Sequence, residues 1–318
     1  MQLILHSFFY FKLLLIYMKR KIISLLFILA LQHNLNAQKV DFDSPEGWGM
    51  SYMTAASLNL SDKFPEVLPL GQFNVSAEIS TIPELNEKQQ KIGFGGVKSE
   101  DLNKSPVFGR GKITAGFYWD SIVELSWTPP LEIDGAKPEQ MWGIAVAKQI
   151  YTNDAFNMGI RLYQFNGKAT ASVTCSEEMV MEPLYSPGNI SGCIGASKDK
   201  IDMSHDGIEI LFERESSMGF KPWFSLASTR LKPSVQINAP LEFIQEEAFV
   251  ETSGRLTTLN LGLNYKLSDN WLLNLGTSYT PIDVRRPEMT GGNDNFWNIK
   301  IGLTFSPNKP LILSLIHI

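Results

Sequence analysis

Large apolar residues occupy every second position in many stretches of this chain, with polar or small residues between them. Near the carboxyl end, residues 271–279 read WLLNLGTSY and residues 297–305 read WNIKIGLTF. Side chains of a β-strand point alternately to opposite faces, so a period of two is the pattern of a strand with one apolar and one polar face. Helical spacing is much rarer along the chain. The pattern therefore predicts an all-β protein.

The alternation predicts ten strands. They lie near residues 71–82, 109–118, 121–128, 141–150, 156–174, 201–214, 220–237, 251–267, 270–280 and 295–305. Short connections, such as 119–120 and 268–269, take strict turns with long ones, such as 83–108 and 175–200. Outer-membrane barrels combine an even strand number, tight periplasmic turns and longer outer loops. We therefore predict an antiparallel up-and-down transmembrane β-barrel of about ten strands over residues 71–305; a soluble β-barrel or sandwich is the alternative.

Aromatic residues lie near the ends of the alternating strands. Trp119 and Trp127 are eight residues apart, as are Trp271 and Tyr279, and Trp297 stands eight residues before Phe305. Eight steps of about 3.3 Å, tilted by about 40°, give roughly 20 Å along the barrel axis. These four tryptophans and Tyr279 are therefore predicted to form an aromatic girdle at the two edges of an apolar band.

The opposite face of the same strands carries charged residues of both signs. These predicted lumen-lining residues are Glu78, Lys112, Glu124, Lys266 and Lys300. A ten-stranded barrel is narrow, because the diameter grows with strand number. We therefore expect these side chains to form a structural network that fills much of the interior; a conduction path is the alternative.

The amino-terminal region resembles an export signal. Residues 19–21 are basic, residues 22–31 are apolar, and Ala37 is a small residue before a predicted cleavage at Gln38. An apolar core that spans ten residues is too short for a membrane helix of roughly 20. Residues 1–17 form an upstream extension, and a two-part hydrophobic anchor is the alternative for 1–37. Residues 38–70 are predicted to be either a plug within the lumen or a periplasmic lead segment.

Charge and cysteine content narrow the functional classes. Cleavage before Gln38 and omission of the tail after Phe305 remove five basic residues and no acidic ones, leaving 23 basic and 33 acidic residues and a net charge of −10. No basic stripe for nucleic acid remains. Cys175 and Cys193 lie in one polar segment of an exported chain, which predicts a disulfide, with two free thiols as the alternative. No pattern indicates a metal or another cofactor.

The last strand resembles the carboxyl-terminal β-signal of bacterial outer-membrane barrel proteins. Ile299, Ile301, Gly302, Leu303 and Phe305 supply its alternating apolar residues, its glycine and its terminal aromatic residue. The resemblance implies location in the outer membrane, contact with its lipid, and recognition by the barrel-assembly machinery during insertion. The resemblance extends over residues 71–305 at the level of architecture, and it implies no particular activity. Residues 306–318 depart from the pattern, and we interpret them as an atypical tail, either artefactual or periplasmic.

Two groups of residues are candidates for chemistry at the outer rim. His205 and Asp206, with Asp199 and Asp202 nearby, could act as a general base and its partner, as in omptin proteases. No second acidic pair with a matching context is evident on the opposite wall of the predicted barrel, so we predict that the protein is not an enzyme. Residues 126–134 and 278–286 share a Ser-aromatic-Thr-Pro pattern, which indicates either two lips of a ligand-binding mouth or strand ends.

The predicted function is that of a narrow pore or a transporter of a small-molecule solute. The alternative is a structural or surface-interaction barrel without transport, and an outer-membrane hydrolase of the omptin type is a third hypothesis.

Overall fold

The computed structural model describes residues 37–214, 219–286 and 289–307, with residues 289–293 described by their backbone alone. The predicted signal segment lies outside these ranges except for Ala37, and so do residues 308–318 of the predicted tail. Both therefore remain predictions from the sequence.

Ten strands form the wall of a barrel. They are β1 (Phe73–Thr81), β2 (Val107–Phe117), β3 (Ser121–Trp127), β4 (Lys137–Thr152), β5 (Phe156–Ala171), β6 (His205–Arg214), β7 (Phe220–Leu231), β8 (Gly254–Lys266), β9 (Trp271–Thr280) and β10 (Phe296–Phe305). Each strand pairs antiparallel with its neighbour in this series, and β10 pairs with β1 to close the sheet. The predicted ten-stranded antiparallel barrel is confirmed.

The connections divide the barrel into two rims. Tight turns at Tyr118–Asp120, 153–155 and 267–270 lie at one end, which we call the short-turn rim. The long connections, such as 82–106 and 172–204, lie at the other end, the loop rim. The strand order and the alternation of turn lengths therefore agree with the sequence pattern.

Two of the predicted strands are each divided in the structure. The predicted strand 201–214 consists of Asp199–Asp202 and β6, because Asp202 accepts a hydrogen bond from the Ser204 amide and turns the chain. The predicted strand 220–237 consists of β7 and Ser234–Pro240. Pro233 stands between the two pieces and has no N–H for a ladder.

A smaller sheet extends the wall at the loop rim. Asp199–Asp202 pairs with the outer part of β5 and with Ser234–Pro240, which in turn pairs with Gln245–Glu251. Gln38–Lys39 adds a parallel edge strand beside Gln245–Glu251. The described chain therefore begins at the loop rim, at the opposite end of the barrel from the start of β1.

The outer surface of the barrel is apolar. Ile79, Ile113 and Ile301 point outward, and about half of each side chain is exposed. Of the predicted girdle residues, Trp119 and Trp271 lie at the short-turn rim, whereas Trp127, Tyr279 and Trp297 lie near the loop rim. Neighbouring rings pack together at both levels, with centroids 4.9 Å apart for Trp271 and Phe305 and 4.6 Å apart for Tyr279 and Trp297. Aromatic residues therefore flank an apolar band.

A helix fills the loop-rim half of the interior. Helix α1 (Pro45–Ala56) begins at Ser44, whose side chain accepts a hydrogen bond from the Gly47 amide, and Pro45 occupies its first turn. Trp48 and Tyr52 are buried, and the Tyr52 ring packs edge-on against Phe296. In the described part of the chain, no helix has both the length and the apolar character needed to cross a bilayer.

The chain leaves α1 and passes down the lumen to the short-turn rim. Glu66 there forms an ion pair with Lys221 at 2.7 Å, before the chain turns into β1. Two inward-facing glycines make room for this passage. A Cβ atom on Gly116 would lie 2.3 Å from the backbone oxygen of Leu68, and one on Gly159 would lie 2.8 Å from Pro65. The chain between α1 and Glu66 therefore runs inside the lumen, and the role of residues 38–70 stays a prediction.

Candidate binding cavity above a charged lumen

Side chains of β1 and β2 form the first part of a buried ionic network. Arg110 donates a short hydrogen bond to Glu78, and Lys112 lies 2.9 Å from the other carboxylate oxygen of Glu78. Lys112 also contacts Asp62 of the threaded segment at 3.2 Å. All of these groups are almost completely buried. Buried charges are tolerated when they are paired and hydrogen-bonded, as they are here.

Arg161 of β5 forms the second part of the network, and two strands of the wall separate β5 from β2. Its guanidinium is fully buried and lies 2.8 Å from Glu124 and 3.2 Å from Glu209. It also donates a hydrogen bond of 2.6 Å to the backbone oxygen of Asn59. The planar fork of arginine suits this arrangement, because several donors can serve separate acceptors at once.

The wall supplies hydrogen bonds to the threaded segment, residues 57–62. Arg110 donates to the Leu58 carbonyl at 2.7 Å, Asn260 donates to the Ser61 carbonyl at 2.9 Å, and the Ser61 amide donates to Glu209 at 3.1 Å. An extended segment inside a barrel has no ladder partner of its own, and its buried N–H and C=O groups must be paired elsewhere. The charged lumen and the threaded segment therefore form one closed layer below α1.

The predicted lumen-lining residues do not all lie in the lumen. Glu78, Lys112, Glu124 and Lys300 are buried inside the barrel. Lys266 was wrongly assigned to the lumen. It has the inward alternation, but β8 ends there, and its side chain is 58% exposed and pairs with Asp269 of the following turn at 2.8 Å.

His205 and Asp206 lie on opposite faces of the wall. The Nε2 atom of His205 accepts a hydrogen bond of 3.1 Å from the Asn59 amide, so the proton resides on Nδ1, which donates to the Met203 carbonyl at 2.9 Å. Asp206 instead pairs with Arg230 on the outside at 2.8 Å. Both ring nitrogens of His205 thus hold the backbone in place, and the predicted general-base pair is not formed in this arrangement.

A cavity of about 480 Å³ lies beside α1 at the loop rim. Its lining is almost entirely apolar, with Met53 of α1, Phe108 of β2, Met141 of β4 and Ala171 of β5 among its walls. The ionic network forms its inner end, where Glu78 and Arg110 contact it. Apolar surface gathered in such a cavity favours an apolar ligand, because binding removes that surface from water.

One polar group in this cavity lacks a partner. Thr128 lines the cavity, and its hydroxyl oxygen Oγ1 is buried without a hydrogen-bond partner in the described part of the chain. A buried hydroxyl without a partner costs free energy that a ligand with a donor or acceptor can recover. Thr128 belongs to the first predicted lip, residues 126–134, so this lip does line a cavity.

The second predicted lip, residues 278–286, holds neighbouring segments of the chain in place. Arg285 forms ion pairs with Asp41 at 3.1 Å and with Asp43 at 2.5 Å. Arg286 pairs with Asp294 and lies over the Trp48 ring at 4.7 Å. This lip therefore fixes the segment around α1.

A second cavity, of about 200 Å³, lies on the other side of Met53 and Val173, which contact both cavities. Lys98 and Glu100 line it and lie 3.0 Å apart. Burial raises the pKa of Glu100 to about 8, and Lys98 only partly opposes this effect. No cluster of His, Cys, Asp and Glu side chains able to hold a metal ion occurs within residues 37–214, 219–286 and 289–307.

The predicted disulfide between Cys175 and Cys193 is present and is buried against Ala239 of the loop-rim sheet. It closes a loop over a sequence separation of 18 residues. A bridge of this span contributes about 3 kcal/mol by restricting the unfolded chain. We expect the double variant Cys175→Ser/Cys193→Ser to be cleaved faster than the wild type by protease within residues 176–192, with the barrel left intact.

Limited proteolysis followed by mass spectrometry checks this expectation, and reduction of the wild-type protein serves as the parallel treatment. Equal cleavage rates in all samples would show that packing alone holds the loop.

The closed wall, its apolar exterior between two aromatic levels and its polar interior define the class of protein. This is an integral β-barrel of the bacterial outer membrane. Its outer surface suits contact with lipid, and its interior holds a threaded segment of its own chain. The resemblance to outer-membrane barrel proteins is confirmed at the level of fold.

Comparisons with known proteins find similarity of fold alone. No family model and no curated protein matches the chain. Among solved structures, it is similar to the translocator domain of the autotransporter NalP from Neisseria meningitidis, with 10% identity, a TM-score of 0.36, and coverage of 80% of this chain and 93% of that one. It is also similar to the outer membrane protease OmpT from Escherichia coli, with 8% identity, a TM-score of 0.34, and coverage of 74% and 94%. These values are too low to carry a function to this chain.

The predicted β-signal residues form the strand that closes the barrel. Ile299, Ile301 and Leu303 point outward, Gly302 faces inward, and Phe305 packs against Trp271. Recognition of this strand by the assembly machinery stays a prediction. Arg110, Arg161 and Glu209 are buried in the lumen but were not among the predicted lumen-lining residues. The alternation could have identified them, because each lies on the inward face of its strand.

Proposed function

We propose that this outer-membrane barrel binds a small, mainly apolar molecule at its loop rim and serves its passage across the membrane. The observation that carries this proposal is the apolar cavity of about 480 Å³ beside α1. Its volume falls within the range of roughly 300–1,000 Å³ that is usual for small-molecule sites. The hydroxyl of Thr128 supplies a polar contact of the kind that orients a ligand in such a site.

The closed layer below the cavity favours a ligand-specific transporter over an open pore. Residues 57–62 occupy the lumen, and Arg110, Arg161 and Asn260 of the wall hydrogen-bond to their backbone. Free passage of ions requires water along the whole lumen, whereas a bound solute needs a path only when this segment moves. Passage toward the short-turn rim is therefore coupled to displacement of residues 57–62.

The test is binding of a dansyl-labelled fatty acid to the purified barrel in lipid nanodiscs. We expect saturable fluorescence enhancement, and Ala171→Phe, which places a ring in the cavity, should weaken binding by about tenfold or more. Ala155→Phe is the control, because Ala155 is exposed in a tight turn at the other rim. Absence of saturable binding to the wild type, or unchanged binding by Ala171→Phe, would contradict the proposal.

A surface-interaction barrel without transport is the second candidate. The hairpin between Ser234–Pro240 and Gln245–Glu251 exposes Phe243 and Ile244 at its tip. Exposed apolar tips on an outer loop are suited to contact with another macromolecule. This candidate predicts that the barrel does not bind the probe, whereas binding to host or neighbouring cells falls on substitution of Phe243 by Ser.

A further inference from the structure

The wall of the barrel is incomplete at the loop rim. Strand β3 ends at Trp127, which pairs with Gly111 of β2 on one side and Trp142 of β4 on the other. The neighbouring strands continue beyond this level, β2 to Val107 and β4 to Lys137. Beyond Trp127, one bond of 3.1 Å from the Thr128 amide to the Met141 carbonyl extends the β3 ladder. Among the residues that the structure describes, no strand lies between 107–110 and 137–141.

The sequence explains why β3 stops at this point. Pro129 and Pro130 follow Thr128, and proline has no N–H to donate to a neighbouring strand. The chain then leaves the wall as the loop 128–136, whose Leu131 and Ile133 are exposed and contact the cavity.

The cavity of about 480 Å³ passes through this gap. Its lining includes Ile79 and Trp127, which point outward toward lipid, together with Phe108 and Met141, which point inward. A single cavity lined from both faces of a wall must cross that wall. Gly109 and Gly111 of β2 also line the cavity on the outward face, so no side chain covers the gap at either position.

We propose that this gap is a lateral opening, through which a single-chain amphiphile exchanges between the outer leaflet of the membrane and the cavity. This inference rests on the proposed function and adds the route and the ligand class. Trp127 and Trp142 place the opening at the level of the outer aromatic residues, where the polar ends of membrane amphiphiles lie. Residues 107–110 pair with β1 on one side, and their other edge faces the cavity, the kind of place where backbone without a ladder partner occurs at membrane depth.

The polar groups at the cavity indicate the character of the ligand. Lys104 and Ser105 line its edge, and Thr128 offers its hydroxyl. Lys104 already forms an ion pair with Asp101, which balances its charge. The geometry therefore suits an apolar chain that ends in one small polar group, with the chain inside and the polar end near the opening.

Substitutions at the two glycines test the route. A Cβ atom on Gly109 would lie 3.7 Å from its nearest neighbour and one on Gly111 would lie 3.9 Å away, so both positions accept a side chain. Gly109→Phe and Gly111→Phe should obstruct the opening, whereas Trp127→Ala should widen it. Thr257→Phe is the matched control, because Thr257 points outward near the loop-rim end of β8, across the barrel from β3.

The experiment measures how fast a dansyl-labelled fatty acid, already dissolved in the bilayer of proteoliposomes, reaches the wild type and each variant. Migration on unheated gels identifies folded barrels. We expect Gly109→Phe and Gly111→Phe to slow association by about tenfold with affinity changed less than about threefold, and Trp127→Ala to accelerate it. Thr257→Phe should match the wild type.

The outcomes separate the route from the site. If the wild type binds the probe and both glycine variants and Trp127→Ala associate at its rate, the lateral opening is wrong and the binding site stands. If the substitutions change the association rate only for probe added from the aqueous side, the ligand enters from the outside medium. The lateral route is then overturned. If the wild type does not bind the probe at all, the proposed function and this inference fail together.

Discussion

Deletion of residues 38–66 is expected to turn a non-conducting barrel into an ion channel. The deleted stretch includes α1, which lies in the loop-rim half of the lumen, and residues 57–62, which lie within the ionic network. Once it is removed, the inward side chains of Arg110, Arg161 and Glu209 lose their backbone partners and face water. A lumen lined by hydrated charges of both signs conducts small ions, although its width in a ten-stranded barrel stays small.

Planar bilayer recordings measure this effect. The wild type should show no stepwise current, and the deletion variant should show small, uniform steps. Deletion of residues 38–40 alone is the control, because it removes the edge strand Gln38–Lys39 but leaves Ser44, α1 and the threaded segment. A folded deletion variant that stays silent would show that wall side chains fill the lumen without the segment.

The wall was predictable because its physical cause is local. Each strand meets lipid on one face and a polar interior on the other, so the alternation through Ile299 and Ile301 records the environment directly. The same alternation assigned Glu78 and Lys112 to the interior, where they lie. It failed at Lys266, because alternation gives the face of a residue but not the depth at which its strand ends.

The interior arrangement was not predictable in the same way. Residues 57–62 read SLNLSD and alternate as a strand does, yet they join no sheet, because their backbone is held by side chains distant in sequence, such as Arg161 and Asn260. The cavity arises from the early end of β3 and from the position of α1, neither of which alternation describes. Pro129 and Pro130 gave a signal for the end of β3, but the sequence did not show that the neighbouring strands continue beyond it.

Replacement of Arg161 by Met is expected to destabilise the barrel strongly. Arg161 is fully buried, and its loss leaves Glu124 and Glu209 without their cation and the Asn59 carbonyl without its donor. Removing one partner of a buried ion pair typically costs about 3–5 kcal/mol, because the remaining charge is buried and uncompensated. The free energy of unfolding, obtained from urea titration of the barrel in detergent and followed by tryptophan fluorescence, should fall by about this amount.

Neutralising the carboxylates in the same variant distinguishes loss of charge balance from loss of packing. The triple variant Glu124→Gln/Arg161→Met/Glu209→Gln should recover a large part of the stability, since no unpaired charge then remains at this point in the lumen. Arg230→Met is the matched control: Arg230 pairs with Asp206 at 2.8 Å, but both are exposed on the outer surface, where an ion pair contributes little. If Arg161→Met unfolds at the wild-type urea concentration, water must reach Glu124 and Glu209, and the lumen is not the closed layer described above.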